Sequence, residues 1–232
     1  MTTILCCDLE LHDSLYFATR EIGRLYETER ILHNYALCYA LGLATSEYFA
    51  RVQTPNYRRD LTLLNERGIY VTPARDVSVD FSLNTWKYAS NHYHVLMEKA
   101  QTNTPTFGRV KEISAESRFR FFIISQDGEY HPPQWIRLGK WMSKARLSVS
   151  QRADNPKRAT GDFEVKHPLN PLDVLPNCQI MLCDLINMPP VSLVNNARVN
   201  GEHFVIEATG HEKMHLPAKM SFNFDGVNKR NL

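Results

Sequence analysis

Residues 3 to 11 alternate, with Leu5, Cys7, Leu9 and Leu11 on one side and Asp8 and Glu10 on the other. That period of two predicts a half-buried strand. From Arg30 to Gly42, RILHNYALCYALG is apolar nearly all round, which predicts a buried helix ending at Gly42. Residues 13 to 28 keep no period and read as a structured loop, and the polar residues 45 to 67 as loop with a short helix. GIYVTPA (68 to 74) reads as a strand halted by Pro73. SRFRFFIIS (117 to 125) is a stronger strand, with Arg118 and Arg120 on the side of Phe122 and Ile124, and Asp127-Gly128 after it is a hairpin signal. Further on, Asn155 to Pro176 reads as irregular and CQIMLCDLI as a core strand. Asn200-Gly201 reads as the turn joining VSLVNNARV to HFVIEA. Residues 76 to 113 contain TWKYASNHYHVLM and QTNTPTFG and read as a long hairpin or projecting arm, with helix as the other reading. This order predicts a single α+β domain over residues 1 to 232 with a largely antiparallel sheet. A ferredoxin-like or RNA-recognition-like core is compatible with the pattern, which by itself does not select it.

Composition excludes some classes. At 43% apolar and 22% charged residues the chain is an ordinary globular one. The longest uncharged apolar run, Tyr35 to Ala44, is about half of a membrane-spanning helix, so no span is expected. The first ten residues lack a basic region and meet an acid at Asp8, so no signal peptide is expected. Five cysteines without a Cys-x-x-Cys pair predict buried, reduced thiols and a cytoplasmic protein.

Charge changes the picture more. The formal net charge is only +2, yet between residues 134 and 158 Arg137, Lys140, Lys144, Arg146, Arg152, Lys157 and Arg158 face Asp154 alone. Of 27 basic and 25 acidic residues in all, 20 and 24 remain for the rest of the chain. A mildly acidic body thus carries one concentrated cationic segment, an asymmetry that bears on partners rather than fold.

Within that segment Gly139 interrupts QWIRLGKWMSKARLSV, and residues 140 to 149 read as a strand. Period two then puts Lys140, Met142, Lys144 and Arg146 outward and Trp141, Ser143, Ala145, Leu147 and Val149 against a core. Cations repeated along one strand repel each other, so an anion is expected along them. The phosphates of a polynucleotide fit, with displaced counterions supplying entropy. Nearby rings would stack on unpaired bases, and Tyr16, Tyr26, Tyr35 and Trp135 are candidates. The alternative is a solvated edge guarded by lysines against aggregation.

Other motifs carry less. His211-Glu212-Lys213-Met214-His215 matches H-E-x-x-H, but zinc chemistry needs that pentad in a helix, and Gly210 and Pro217 predict a turn. His92 and His94 flank Tyr93 with no further ligand nearby. No glycine-rich phosphate loop is present, and no metal or cofactor is expected. The histidine spacing assembles no nucleophile, base and oxyanion donor, so the chain is not expected to be an enzyme.

Four stretches together resemble a known family: FATREIGRLYETERILHNYALCYALGL (17 to 43), LNERGIYVTPA (64 to 74), QWIRLGKWMSKARL (134 to 147) and HPLNPLDVLPNCQIMLCDLINMPPVSLVNNAR (167 to 198). The chain is similar to the small Cas-five-type subunit of type I-D CRISPR surveillance (Cascade) complexes. The resemblance implies a ferredoxin-like (RNA-recognition-type) core, a β-rich C-terminal part and an inserted thumb-like β-hairpin, placed at 76 to 113. It implies a non-catalytic subunit that caps the 5′ handle of the crRNA, contacts the large signature subunit and the backbone filament subunit, and lies near target DNA. On this reading Lys140, Lys144 and Arg146, with Trp141 or Arg137 at the entrance, grip handle phosphates. Arg20, Arg24 and Tyr26 form a second group, with Asn34 at the helix start. Pairing with Glu21, Glu27 or Glu29 is the other reading for Arg20 and Arg24. Because a related subunit of one CRISPR subtype processes precursor RNA, a metal-independent endoribonuclease is the alternative function. A scaffold whose basic face meets an acidic protein is a third.

Overall fold

The computed structural model describes residues 1–44, 55–87, 107–126, 130–207 and 213–225, without the side chains of 86, 87 and 107. The first strand, β1 (Thr3–Leu11), is buried on both faces through Cys7 rather than half-buried throughout. The reason is its central place. It pairs antiparallel with β8 (Arg118–Ser125) on one side and β10 (Ser143–Asp154) on the other. The sheet continues through β4 (Ile69–Val71) beyond β8 and β9 (Trp135–Leu138) beyond β10, and β5 (Arg75–Ser78) also pairs with β8. Every pairing in it is antiparallel.

Two helices connect β1 to β4. The first, α1 (Asn34–Ala40), begins four residues later than the apolar run. Leu32 is held in an extended bridge to Ala74, and His33 then caps the helix by accepting the Tyr35 N–H at Nδ1. Gly42, at φ +70°, follows its C-terminus, where only glycine takes the left-handed turn without strain. The second, α2 (Tyr57–Glu66), is capped by the Asn56 side chain and buries Leu61 and Leu64. The strand joined to β1 by these helices lies two places away, with β8 between them. That is the split crossover of a βαβ unit in an antiparallel sheet. No helix lies between β8 and β10 among the described residues.

A second sheet comprises β11 (Lys157–Val165), β12 (Gln179–Ile186), β13 (Leu193–Glu207) and β14 (Lys213–Pro217), in the order β11-β13-β12 with β14 also on β13. Four sequence expectations fail here. Residues after Asn155 are not irregular: β10 ends in a tight turn, with Asn155 at φ +48°, and the chain re-enters a sheet at Lys157. Asn200-Gly201 is no hairpin, because β13 runs straight through it. A Cβ on Gly201 would lie 2.6 Å from Cys178 Sγ, so the glycine permits close packing rather than a turn. CQIMLCDLI is not a core strand either; it forms β12 at an edge, with Leu182 71% and Leu185 70% exposed. The H-E-x-x-H stretch is strand rather than turn from Lys213 onward, while His211 and Glu212 lie outside the described residues.

The third sheet corrects the predicted loop. Residues 13 to 28 hold a small hairpin, β2 (Arg20–Ile22) and β3 (Leu25–Glu27), turning at Gly23. Strand β3 pairs in parallel with β7 (Phe107–Ile113), which pairs antiparallel with β6 (Phe81–Lys87). The 88–106 connection, including His92 and His94, lies outside the described residues, as do Asp127 and Gly128. Of the described strands on either side of that pair, β8 pairs with β1, β4 and β5, and β9 with β10.

One continuous apolar cluster runs from Ile4, Leu9 and Phe121 under the first sheet to Phe163, Val199 and Phe204 of the second. At its junction sits a buried polar knot. Asp173, in the short helix α3 (Pro171–Val174), accepts hydrogen bonds from Asn34 Nδ2 (2.9 Å), the Tyr70 hydroxyl (2.9 Å) and the Asn223 N–H (2.9 Å). Each donor offsets part of the cost of enclosing a carboxyl group. All five cysteines are free, four of them buried. Among the described residues no helix is long and apolar enough to cross a membrane.

Candidate nucleic-acid interface

The cationic segment folds as a β-hairpin, and its turn decides which side chains come together. Strands β9 and β10 pair with Lys144 opposite Arg137 and Arg146 opposite Trp135. Ile136, Leu138, Ala145 and Leu147 point into the core, so Trp135, Arg137, Lys144 and Arg146 share the outer face. Period two therefore selected Lys144 and Arg146 correctly as a pair. It misplaced Lys140 and Met142, which belong to the turn at 139–142, with Gly139 at φ +69° and Met142 at φ +55°. Trp141, expected inside, is 40% exposed and packs on the Tyr16 ring at 4.9 Å.

This turn is seated against the chain after β1. Lys140 N–H donates to Tyr16 O at 3.0 Å, and a Cβ on Gly139 would lie 2.6 Å from Leu15 Cδ1 and 2.7 Å from Tyr16 O. Gly139→Ala is therefore expected to cost about 2–4 kcal/mol, combining left-handed strain with overpacking. Chemical denaturation should show this as a lower midpoint with unchanged slope.

Electrostatics divide the seven cations of the segment. Arg158 pairs with Glu202 at 3.1 Å and Arg152 with Asp154 at 3.0 Å. Arg137 donates to Met142 O at 3.0 Å and stands 4.0 Å from Asp13. The side chains of Lys144 and Arg146 form no ion pair with a carboxylate among the described residues, although the Lys144 backbone N–H donates to Asp13 Oδ2 at 2.8 Å. The nearest acid in the ladder, Glu10, lies opposite Arg146 but is engaged by Arg118 at 3.3 Å. Lys144 Nζ sits 4.1 Å over the Trp135 ring, which meets the His12 ring edge-to-face with centroids 4.9 Å apart. A cation laid over an aromatic face beside an uncompensated guanidinium offers both charge and a stacking plane.

Lys140 stands at the rim of an apolar cleft of about 390 Å³ lined by Phe17, Tyr39, Tyr57 and Met188, among others. Sequence reading missed this cleft and His12, because residues 17, 57, 140 and 188 meet only in the fold. Of the second predicted group, Arg20 bridges Glu27 (3.4 Å) and Glu29 (3.1 Å), the pairing that the sequence had left open. Arg24 lies in the β2–β3 turn and Tyr26 is half-buried on β3. Asn34 is withdrawn from the RNA-facing set. It is 0% exposed and committed to Asp173 inside the protein. Tyr35, a stacking candidate, is likewise core. No cluster of three potential metal ligands occurs among the described residues.

These features define an α+β protein whose seated hairpin presents uncompensated cations and an aromatic plane, a surface suited to a polyanion. The family model described as type I-D CRISPR-associated protein Cas5/Csc1 matches residues 2–225. The chain belongs to this Cas5/Csc1 family. Among solved structures it is similar to a chain of the type III-B Cmr-beta complex bound to cognate target RNA and AMPPnP. That match has 8% identity and a TM-score of 0.47 over 84% of this chain and 86% of that one. It is also similar to a CRISPR protein from Archaeoglobus fulgidus, at 11% identity and a TM-score of 0.45 over 94% and 100% of the two chains. Among curated proteins none matches the sequence significantly.

Proposed function

We propose that the chain is a non-catalytic subunit of a cytoplasmic type I-D CRISPR effector complex, and that its β9–β10 hairpin grips the 5′ handle of the crRNA. The observation that carries this reading is the outward pair Lys144 and Arg146, whose side chains form no ion pair with a carboxylate among the described residues, beside the exposed Trp135. Single-stranded RNA is held by this combination of phosphate-binding cations and ring stacking. The strand order β4-β8-β1-β10 and the paired β6 and β7 support a ferredoxin-like core carrying a thumb. The exposed apolar edge of β12 offers a surface for the large signature subunit or the backbone filament subunit.

Binding of labelled handle RNA, measured against a scrambled strand over a salt series, tests the reading. Preference for the handle with a steep salt dependence is expected, while equal binding of both strands and full competition by heparin would favour a general acidic-partner scaffold. Incubation with repeat RNA in EDTA is expected to leave the RNA intact. A discrete product lost on substitution of one histidine would instead establish the metal-independent endoribonuclease.

A further inference from the structure

A second cleft, of about 540 Å³, opens between the first sheet and the second. Its volume is in the range of small-molecule sites. Arg75, Lys166, Arg198 and Lys213 line it against Asp162 and Glu164, and Phe122, Phe163 and Met214 add apolar surface. Three enclosed nitrogens in its wall have no hydrogen-bond partner among the described residues: Arg75 Nε, His167 Nδ1 and His215 Nδ1. Native interiors leave few such atoms, and each asks what normally meets it.

Two of them specify chemistry. Arg75 has no carboxylate partner among the described residues, and its neighbour in the ladder is another arginine, Arg120, which is held by Asp8 at 2.6 and 3.1 Å. A half-buried guanidinium beside a like charge lacks its counter-ion. His167 is 4% exposed, and its Nε2 lies 2.8 Å from the Thr72 hydroxyl, which can act as an acceptor, and 2.7 Å from Pro73 O, which can only accept. Nε2 therefore carries the ring proton, and Nδ1 presents a lone pair toward a donor. Burial, reinforced by the charge of Arg75, keeps this imidazole neutral. Asp162 is taken by Arg198 (3.4 Å) and Asn200, which leaves Glu164 as a further acceptor in the wall.

The occupant these walls ask for is anionic at one end, donates N–H or O–H at the other, and has a flat apolar body. We propose that the cleft binds a single nucleotide, its phosphate at Arg75 and its base or sugar donor at His167 Nδ1 between the two sheets. The site is built on β5, β8, β11, β13 and β14 and does not depend on the reading of the β9–β10 hairpin. The nucleotide is either free or one unit of an RNA strand. His215, the described histidine of the H-E-x-x-H stretch, thereby faces a nucleotide rather than a zinc ion.

Titration of the full chain with AMP, followed by isothermal calorimetry and by ligand-observed NMR, tests this. Saturable one-to-one binding is expected, with adenosine and inorganic phosphate each binding more weakly than AMP. Arg75→Gln should weaken AMP at least about tenfold, the loss of one charge-assisted hydrogen bond. Lys213→Gln, on an exposed strand end, should weaken it severalfold with the melting temperature unchanged. An RNA 10-mer that displaces AMP assigns the cleft to a strand nucleotide, and one that does not assigns it to a free nucleotide; both outcomes support the site. No saturable AMP binding by the wild-type chain, or AMP binding indifferent to both substitutions, would overturn it.

Discussion

Reversing both uncompensated cations, Lys144→Glu with Arg146→Glu, is expected to lower affinity for handle RNA on the order of 10²-fold at about 0.1 M salt. Each single-strand phosphate contact contributes about 0.7 to the slope of log affinity against log salt, so two lost contacts flatten that slope by about 1.4. At this salt concentration the slope alone corresponds to roughly 25-fold, and repulsion by the two new carboxylates supplies the rest. The fold should not suffer, because both side chains are exposed and Ala145 and Leu147 keep their places beneath. Fluorescence anisotropy across a salt series, with the melting temperature as a control, reads both quantities. An unchanged slope would remove this hairpin as the RNA contact.

Acid is expected to destabilise the protein well above the carboxylate range, for reasons written in its buried histidines. Burial lowers His33 and His167 to about 3, and burial with the neighbouring His203 and Lys213 also lowers His215. A histidine depressed in the folded state binds its proton better when unfolded. Stability present above the unfolded value of 6.5 is therefore lost as pH falls. Asp173 works in the opposite sense. Burial raises it to about 7, against the opposing pull of its hydrogen-bond donors, so the folded state takes up a proton there that the unfolded state does not. Between about pH 4.5 and 5.5, where the unfolded histidines are almost fully protonated, two or more protons favour unfolding and one opposes it, so unfolding free energy should fall by about 1.4 kcal/mol per pH unit. His33→Asn retains a capping side chain and removes one titrating group. It should flatten that slope by about 1.4 kcal/mol per pH unit, and Asp173→Asn should steepen it by the same amount. Urea denaturation at half-unit pH steps measures the three slopes; equal slopes would show that these groups do not control acid stability.

Local pattern carried the parts of the fold that depend on one strand at a time. β1, β4 and β8 are legible because alternation or a β-branched and aromatic run suffices to define them. Other elements depend on what approaches from elsewhere. Asn200-Gly201 has the composition of a turn, yet Gly201 serves the close approach of Cys178 within a strand. The apolar CQIMLCDLI run says that its side chains seek cover, but not whether the cover is the protein's own core or another surface. For β12 it is not the core: Met181, Leu182 and Leu185 are all exposed.

The candidate site divides along the same line. Lys144 and Arg146 were found because period two holds along β10. Period two fails for Lys140 and Trp141 because the left-handed residues Gly139 and Met142 make a turn there, in which Lys140 is exposed as expected and Trp141 is exposed rather than buried. That Arg137 and Trp135 join the same face follows from the β9–β10 register, and the aromatic cleft beside Lys140 from contacts between distant segments. Asn34 was named for its polar side chain at a helix start. Its real partner, Asp173, lies 139 residues away.

The most direct measurement is photo-crosslinking of the assembled complex carrying a guide RNA with photoreactive nucleotides in the 5′ handle, followed by peptide mapping. Crosslinks in the peptides that span residues 134–147, with Trp135 as the leading adduct and loss of yield on Lys144→Glu with Arg146→Glu, are expected. A handle crosslinked only to other subunits, or only to peptides of this chain remote from the β9–β10 hairpin, would contradict it.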